Sequence, residues 1–118
     1  ETKMEFSFDA RLPESYIGET SLRLEIYHRF GDATSFDEVD ALFAELKDRF
    51  GPPPPSVDFL YHLTRIRLYA SQHQFTLLKF NTLTFLAEKP PIKKSFTLPR
   101  FKTPKELEEQ IIELLKKF

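Results

Sequence analysis

The sequence predicts an α+β domain with an N-terminal strand, three consecutive helices, a small antiparallel sheet and a C-terminal amphipathic helix. Two patterns carry the prediction: apolar residues recur at helical spacing between positions 20 and 72, and short β-type runs follow from residue 75. The chain has 118 residues, of which 41% are hydrophobic and 30% charged, so we expect a single domain over residues 1–118.

The first two elements are a strand and a helix. Apolar and polar residues alternate over residues 4–8, which predicts a half-buried strand. Thr20 or Ser21 can then cap a helix, and Gly31 is expected to end it. The apolar side of this helix is formed by Leu22, Ile26 and Phe30.

The second helix has clear start and stop signals. Ser35 with Glu38 three residues later forms a capping box, and Gly51 marks the C-terminal end. At about 100° per residue, one broad apolar face must be buried, and it consists of Phe36, Val39, Leu42, Phe43, Leu46 and Phe50. The opposite face carries acids, with Ala41 among them and Arg49 at its rim: Asp37, Glu38, Glu45 and Asp48.

Four prolines separate the second helix from the third. Pro52–Pro55 predicts a stiff extended connector, because each ring fixes its own φ and disfavours helix in the preceding residue. The helix that follows, over about residues 56–72, is apolar on nearly all sides. We therefore expect it to be the central helix.

The last part of the chain predicts three strands and a helix. The runs FTLLKF and LTFLAEK meet at Asn81-Thr82 in a hairpin, and residues 94–98 add a third strand. Thr103, Pro104 and Glu106 then supply an N-cap, a first-turn proline and a capping-box acid. The apolar residues of this terminal helix are Leu107, Ile111, Leu114, Leu115 and Phe118.

No catalytic, metal or cofactor site is predicted. His28, His62 and His73 lack the spacing of a metal motif, and the glycines form no phosphate-binding loop. An independent hydrolase is disfavoured because no nucleophile–base pair can be identified. The absence of Cys favours a cytoplasmic location, and no apolar run approaches the roughly 20 residues of a membrane span.

The acidic face of the second helix is one candidate binding surface. Its predicted interface residues are Asp37, Glu38, Glu45, Asp48 and Arg49. The alternative is that these charges merely solvate the helix, with Arg49 pairing to Glu45 at i, i+4.

The basic stretch Lys89–Lys105 is the other candidate surface, since it contains no acid. Cations beside aromatic rings can track a phosphate backbone and stack bases. The alternative is a solvated strand and loop, because a formal net charge of −1 predicts no global attraction to nucleic acid. The candidate nucleic-acid residues are Lys93, Lys94, Arg100 and Lys102, with Phe96 or Phe101.

Several motifs, taken in order, resemble the C-terminal domain of bacterial transcription-repair coupling factors, the Mfd family. They are LPxxYI at residues 12–17, RLxxYxR at residues 23–29, ELxDRFGP at residues 45–52 and VxxL at residues 57–60. The resemblance covers about residues 6–88. The run of four prolines departs from the family pattern.

This resemblance implies a fragment of an ATP-driven DNA translocase, and a start at Glu1 without Met favours the same view. The motor motifs, with ATP and Mg, would lie upstream, so this piece would be non-catalytic and hold no cofactor. It would dock on the N-terminal UvrB-like module of the same polypeptide, mask the UvrA-binding surface and restrain the motor that displaces RNA polymerase. Glu45 and Asp48 match the family's acidic contact positions. The alternative is a nucleic-acid-binding accessory domain that uses residues 89–105.

Overall fold

The computed structural model describes residues 1–118 and confirms the predicted α+β class. The elements are β1 (Lys3–Glu5), α1 (Thr20–Asp32), α2 (Phe36–Phe50), α3 (Pro55–Gln72), β2 (Leu77–Phe80), β3 (Thr84–Lys89), β4 (Ile92–Thr97) and α4 (Pro104–Leu115). The chain divides into two compact units, one formed by residues 9–65 and the other by residues 1–8 and 66–118. α3 runs through the division, and none of residues 56–71 is exposed, as expected of a helix that is apolar on nearly all sides.

Residues 9–65 contain α1, α2 and the first part of α3. α2 begins as predicted, because the Ser35 hydroxyl accepts the backbone N–H of Glu38 at 3.1 Å. Its C-cap is Gly51, whose φ of 84° lies in the left-handed region that glycine adopts without strain. The buried apolar residues of this unit are Leu12, Ile17, Ile26, Phe30, Ala33, Val39, Leu42, Phe43, Leu46, Val57 and Leu63.

The predicted ends of α1 are wrong by one or two residues. Glu19 takes the cap position without a side-chain hydrogen bond, and Thr20 and Ser21 are the first helical residues. The Ser21 hydroxyl donates to the Glu19 carboxylate at 2.8 Å, outside the first turn of helical hydrogen bonds. The helix also continues through Gly31 to Asp32, because Gly31 does not adopt a positive φ and therefore does not act as a left-handed stop.

Polar side chains tie the irregular segment before α1 to the helices of the same unit. The Tyr16 hydroxyl donates to the carbonyl of Gly51 at 2.8 Å, at the end of α2. Arg23 donates to the carbonyl of Ile17 at 2.7 Å, and the Tyr27 hydroxyl accepts the N–H of Leu12 at 2.7 Å. The LPxxYI and RLxxYxR motifs are therefore structural in part, because their polar side chains satisfy backbone groups at the end of α2 and in the loop before α1.

Residues 1–8 and 66–118 contain the sheet, α4 and the last part of α3. The strand order is β1-β2-β3-β4, with β1 parallel to β2 and the remaining pairs antiparallel. The predicted antiparallel sheet is thus confirmed, and β1 extends it into a mixed sheet. The N-terminal strand is shorter than expected, because its pairing with β2 ends at Glu5 and Phe6 is 41% exposed.

The turn between β2 and β3 needs no glycine. The backbone N–H of Asn81 donates to the carbonyl of Thr84 at 2.9 Å, and the Asn81 side-chain amide donates to the Thr84 hydroxyl at 3.2 Å. Asparagine side chains commonly stabilise turns in this way. The hairpin predicted at Asn81-Thr82 is therefore confirmed.

α4 begins at Pro104 with Thr103 as its N-cap, as predicted. The Thr103 hydroxyl accepts the N–H of Glu106 at 3.1 Å, and proline at the first helical position has no N–H to leave unsatisfied. Beyond the helix, the ring of Phe118 meets the ring of Phe75 edge-on at 4.8 Å. The buried apolar residues of the sheet and α4 are Leu78, Phe80, Phe85, Ala87, Leu107, Ile111 and Leu115.

Candidate partner-binding surface

The buried side of α2 determines which of its residues face solvent. The predicted apolar face is confirmed at its centre, where Val39, Leu42, Phe43 and Leu46 are buried. Burial of this face turns the acidic side outward, so that Asp37, Glu38 and Asp48 are exposed. Glu45 is intermediate, with 35% of its side chain exposed.

Glu45 is held by two arginines. Arg29 of α1 donates to both carboxylate oxygens, with Nη1 to Oε2 at 2.8 Å and Nη2 to Oε1 at 3.0 Å. Arg49 donates to Oε2 at 3.3 Å, which is the predicted i, i+4 pair. The pKa of Glu45 is lowered, chiefly by the hydrogen bonds from Arg29, and the pKa of Arg29 is raised by the same hydrogen bonds. The carboxylate therefore stays ionised and fixed in position.

Asp37 and Asp48 are not held in this way. Both are exposed, and neither side chain has a hydrogen-bond or ion-pair partner. They lie three turns apart on the same side of α2, about 16 Å along the axis at about 1.5 Å per residue. These two carboxylates are thus available to a partner without the loss of any internal contact.

The remaining predicted residues of this surface have internal partners. The Glu38 carboxylate accepts the Thr34 hydroxyl at 3.0 Å, and it also belongs to the capping box of α2. Arg49 lies over the ring of Phe50 at 5.1 Å as well as contacting Glu45. Glu38 and Arg49 are therefore less free to reorient toward a partner than Asp37 and Asp48 are.

The acidic surface extends onto α1, which the sequence reasoning missed. A groove between α1 and α2 is lined by Glu25, His28, Arg29, Asp32 and Glu38, with Ala41 and Leu42. Glu25 and Asp32 are exposed, so both add negative charge next to the face of α2. No local signal could have located them here, because the packing of α1 against α2 places them at the groove.

β4 separates the basic residues that were predicted to act together. Successive residues of a strand point to opposite faces, so Lys93 and Lys94 lie on opposite sides of the sheet. Lys93 pairs with Glu88 at 3.4 Å, whereas Lys94 donates to the carbonyl of Lys117 at 2.8 Å. Phe96 is half-buried against other aromatic rings and is not presented to solvent for base stacking.

The loop before α4 brings the other two predicted cations together. Arg100 and Lys102 are exposed, and they line a shallow cavity with Pro99, Phe101 and Glu106. Phe101 is half-buried, with its ring 5.9 Å from the ring of Phe8. The nucleic-acid hypothesis stays a prediction, and the geometry narrows it from the whole basic stretch to this loop.

The histidines are dispersed over the two units. His28 lies in the α1–α2 groove, His62 contacts the ring of Tyr61 at 4.7 Å, and His73 stacks on Tyr69 at 4.2 Å. No group of three or more His, Asp or Glu side chains is arranged to hold a metal ion. None of the helices combines the length and apolar character that a bilayer crossing requires.

The fold defines a class of small α+β domains in which three consecutive helices are combined with a mixed four-stranded sheet. The TRCF domain family model matches residues 6–94, and the chain belongs to this family. The chain is 33% identical over 79 residues to the transcription-repair-coupling factor of Bacillus subtilis, which covers 67% of the chain and 7% of that protein. It is 42% identical over 59 residues to the factor of Myxococcus xanthus, which covers 50% of the chain and 5% of that protein.

A third relative is the transcription-repair-coupling factor of Haemophilus influenzae, 40% identical over 65 residues, which are 55% of the chain and 6% of that protein. The chain therefore spans less than a tenth of the length of these curated relatives. A crystal structure of the C-terminal domain of a transcription-repair coupling factor has the same fold, with a TM-score of 0.79 and 18% identity over 98% of this chain and 94% of that one. The resemblance inferred from the motifs is confirmed.

Proposed function

We propose that this domain is a non-catalytic regulatory module of a transcription-repair coupling factor. It docks through the acidic face of α2 on a basic surface of the N-terminal UvrB-like module of the same polypeptide. In that position it masks the UvrA-binding surface and restrains the motor. The observation that supports this most directly is the pair of exposed, unpaired carboxylates, Asp37 and Asp48, beside an ionised Glu45.

The catalytic activities belong to other parts of the parent polypeptide. Its motor, upstream of the domain, binds ATP and Mg, moves along DNA and acts on RNA polymerase in the cytoplasm, without a membrane. The domain itself needs no cofactor for this role. Opposite charges across such an interface set orientation and association rate more than raw affinity. A clamp of modest affinity can therefore open by a population shift when the motor engages DNA.

The internal contacts of Glu45 give the acidic residues different roles in docking. A cation of the partner can bind Asp48 directly, because that carboxylate has no competing contact. At Glu45 the same cation has to compete with the two hydrogen bonds from Arg29. Asp48 is therefore the dominant contact, and Glu45 adds a fixed negative charge beside it.

Charge reversal in the full-length translocase tests the proposal. Asp48→Lys should weaken the closed state and so raise UvrA binding and basal ATPase activity, and Glu45→Lys should act in the same direction with a smaller effect. Glu109→Lys, on the exposed side of α4, is the matched control with the same change of charge. If UvrA binding and ATPase activity are unchanged in both α2 variants, the domain does not restrain the protein through this face.

A further inference from the structure

β4 forms an open edge of the sheet. It is the last strand in the order β1-β2-β3-β4, so one side of its backbone has no neighbouring strand. Lys93, Ser95 and Thr97 are all exposed, and the backbone N–H groups of these three residues make no hydrogen bond outside the sheet. An exposed edge of this kind can accept another strand.

The hydrogen-bond pattern identifies which backbone groups point outward. In an antiparallel pair, residue pairs alternate between hydrogen-bonded and non-hydrogen-bonded. Just beyond the ends of β3 and β4, the N–H of Leu98 donates to the carbonyl of Leu83 at 2.8 Å. Leu83 and Leu98 are therefore a hydrogen-bonded pair. Counting back along the register, Phe96 and Lys94 are bonded to β3, and their neighbours are not.

The other neighbour of β3 gives the same assignment independently. The carbonyl of Thr84 accepts a hydrogen bond from Asn81, so the backbone of Thr84 faces β2. Thr97 of β4 lies opposite Thr84. Because the backbone of Thr84 bonds to β2, the backbone of Thr97 makes no hydrogen bond to β3. The N–H and C=O groups of Lys93, Ser95 and Thr97 thus form a ladder that faces solvent.

The side chains of β4 determine the charge that fits beside this ladder. The strand carries two lysines and no acid. Lys93 lies on one face, where it pairs with Glu88 of β3 at 3.4 Å. Lys94 lies on the other face, where it donates to the carbonyl of Lys117 at 2.8 Å. A strand added at this edge would therefore meet the unshared positive charge of Lys94 on one face and, on the other, a Lys93 charge that is shared with Glu88. Opposite charges on directly paired strands are favourable, and like charges are not.

We propose that the β4 edge binds an extended, acidic segment of a partner protein as a fifth strand. The main-chain ladder would supply affinity, and a carboxylate opposite Lys94 would supply most of the selectivity, because a carboxylate opposite Lys93 has to compete with Glu88. A second copy of this chain is a poorer occupant, because two β4 edges would bring four lysines together. A nucleic acid is also poorer, since phosphate oxygens are acceptors and cannot satisfy the outward carbonyls.

This site is independent of the acidic face of α2. It lies in the unit of residues 1–8 and 66–118, whereas α2 lies in the unit of residues 9–65. Residues 95–97 also lie beyond the part of the chain that matches the TRCF domain family model. A failure of either proposal therefore leaves the other untouched.

Nuclear magnetic resonance titration of the chain with a short peptide that alternates glutamate and valine tests the site. The amides of Lys93, Ser95 and Thr97 should shift more than those of Lys94 and Phe96, whose N–H groups already bond to β3. The same peptide with lysine in place of glutamate should bind about tenfold more weakly. Shifts that are absent, or that are equal along β4, would overturn the proposal.

Ser95→Pro distinguishes strand addition from simple charge attraction. It removes the central outward N–H while the bonds to β3 remain, and proline is tolerated at such a position of an edge strand. Loss of this hydrogen bond should weaken peptide binding by about tenfold, whereas Ser95→Ala, which keeps the N–H, should bind as the wild type does. If Ser95→Pro does not fold, Thr97→Pro removes the next outward N–H. Peptide binding that survives in the folded proline variant, or a thymidine oligonucleotide that shifts the same three amides, would refute strand addition.

Discussion

Replacing Arg29 with glutamine should lower the free energy of unfolding, because it removes an ion pair between α1 and α2. The lost interaction is the bidentate ion pair between Arg29 and Glu45. The side chains are 44% and 35% exposed, respectively, so solvent screens the pair. The expected cost is about 0.5–1 kcal/mol at neutral pH, the upper part of the range for exposed pairs, because the geometry is bidentate. For a chain of this size that corresponds to a decrease in Tm of about 2–5 °C.

The pH dependence gives this prediction a second, independent signature. The folded-state pKa of Glu45 is lowered from its ordinary value of 4.5. The stabilisation is therefore fully present above pH 4.5 and is lost as the pH falls through the lowered pKa. In sufficiently acid solution, wild type and Arg29→Gln should approach the same stability.

A double-mutant cycle measures the interaction directly. Thermal unfolding of wild type, Arg29→Gln, Glu45→Gln and the double variant, followed by circular dichroism, yields the coupling free energy. Arg49→Gln is the matched control, because its single contact of 3.3 Å should couple more weakly to Glu45. A coupling that is zero at neutral pH, or that is equally large in acid and at neutral pH, would show that the bidentate pair does not stabilise the fold.

Two further predictions concern other charged groups. Burial raises the pKa of Asp58, so its contribution to stability is most favourable below its unfolded-state pKa and is lost as the pH rises through the folded-state pKa. Asp58→Asn should remove this component of the pH dependence, and an unchanged stability profile in urea unfolding would contradict the assignment. Arg100→Gln combined with Lys102→Gln should reduce both the affinity for single-stranded DNA and its salt slope, while Lys93→Gln should change neither. Equal effects of all these substitutions in fluorescence anisotropy would show that the α4 loop is not a distinct nucleic-acid site.

The elements that the sequence predicted best are those with local signals. The starts of α2 and α4 were correct because a capping hydroxyl and an acid three residues later interact within one turn. The start of α1 was wrong because Thr20 and Ser21 offered similar hydroxyls, and the helix begins without using either as a cap. The separation of Lys93 from Lys94 could also have been predicted, since strand periodicity alone assigns adjacent residues to opposite faces.

The acidic surface shows the limit of that local reasoning. Helical periodicity placed Asp37 and Asp48 outward, and they are exposed. It also found the pair between Arg49 and Glu45, which is set by one helical turn. It could not show that Arg29 holds Glu45 more closely, because these two residues belong to different helices.

By itself, the sequence determined the α+β class, the order of the elements, the outward acids of α2 and the family, because capping, periodicity and ordered motifs are local properties of the chain. The tertiary structure alone decided that β1 pairs in parallel with β2 and that β4 is an open edge. It also decided that Arg29 forms an ion pair with Glu45 while Asp48 stays free. These features depend on residues that are distant in sequence. The packing that brings such residues together is determined by the whole fold and not by any single segment.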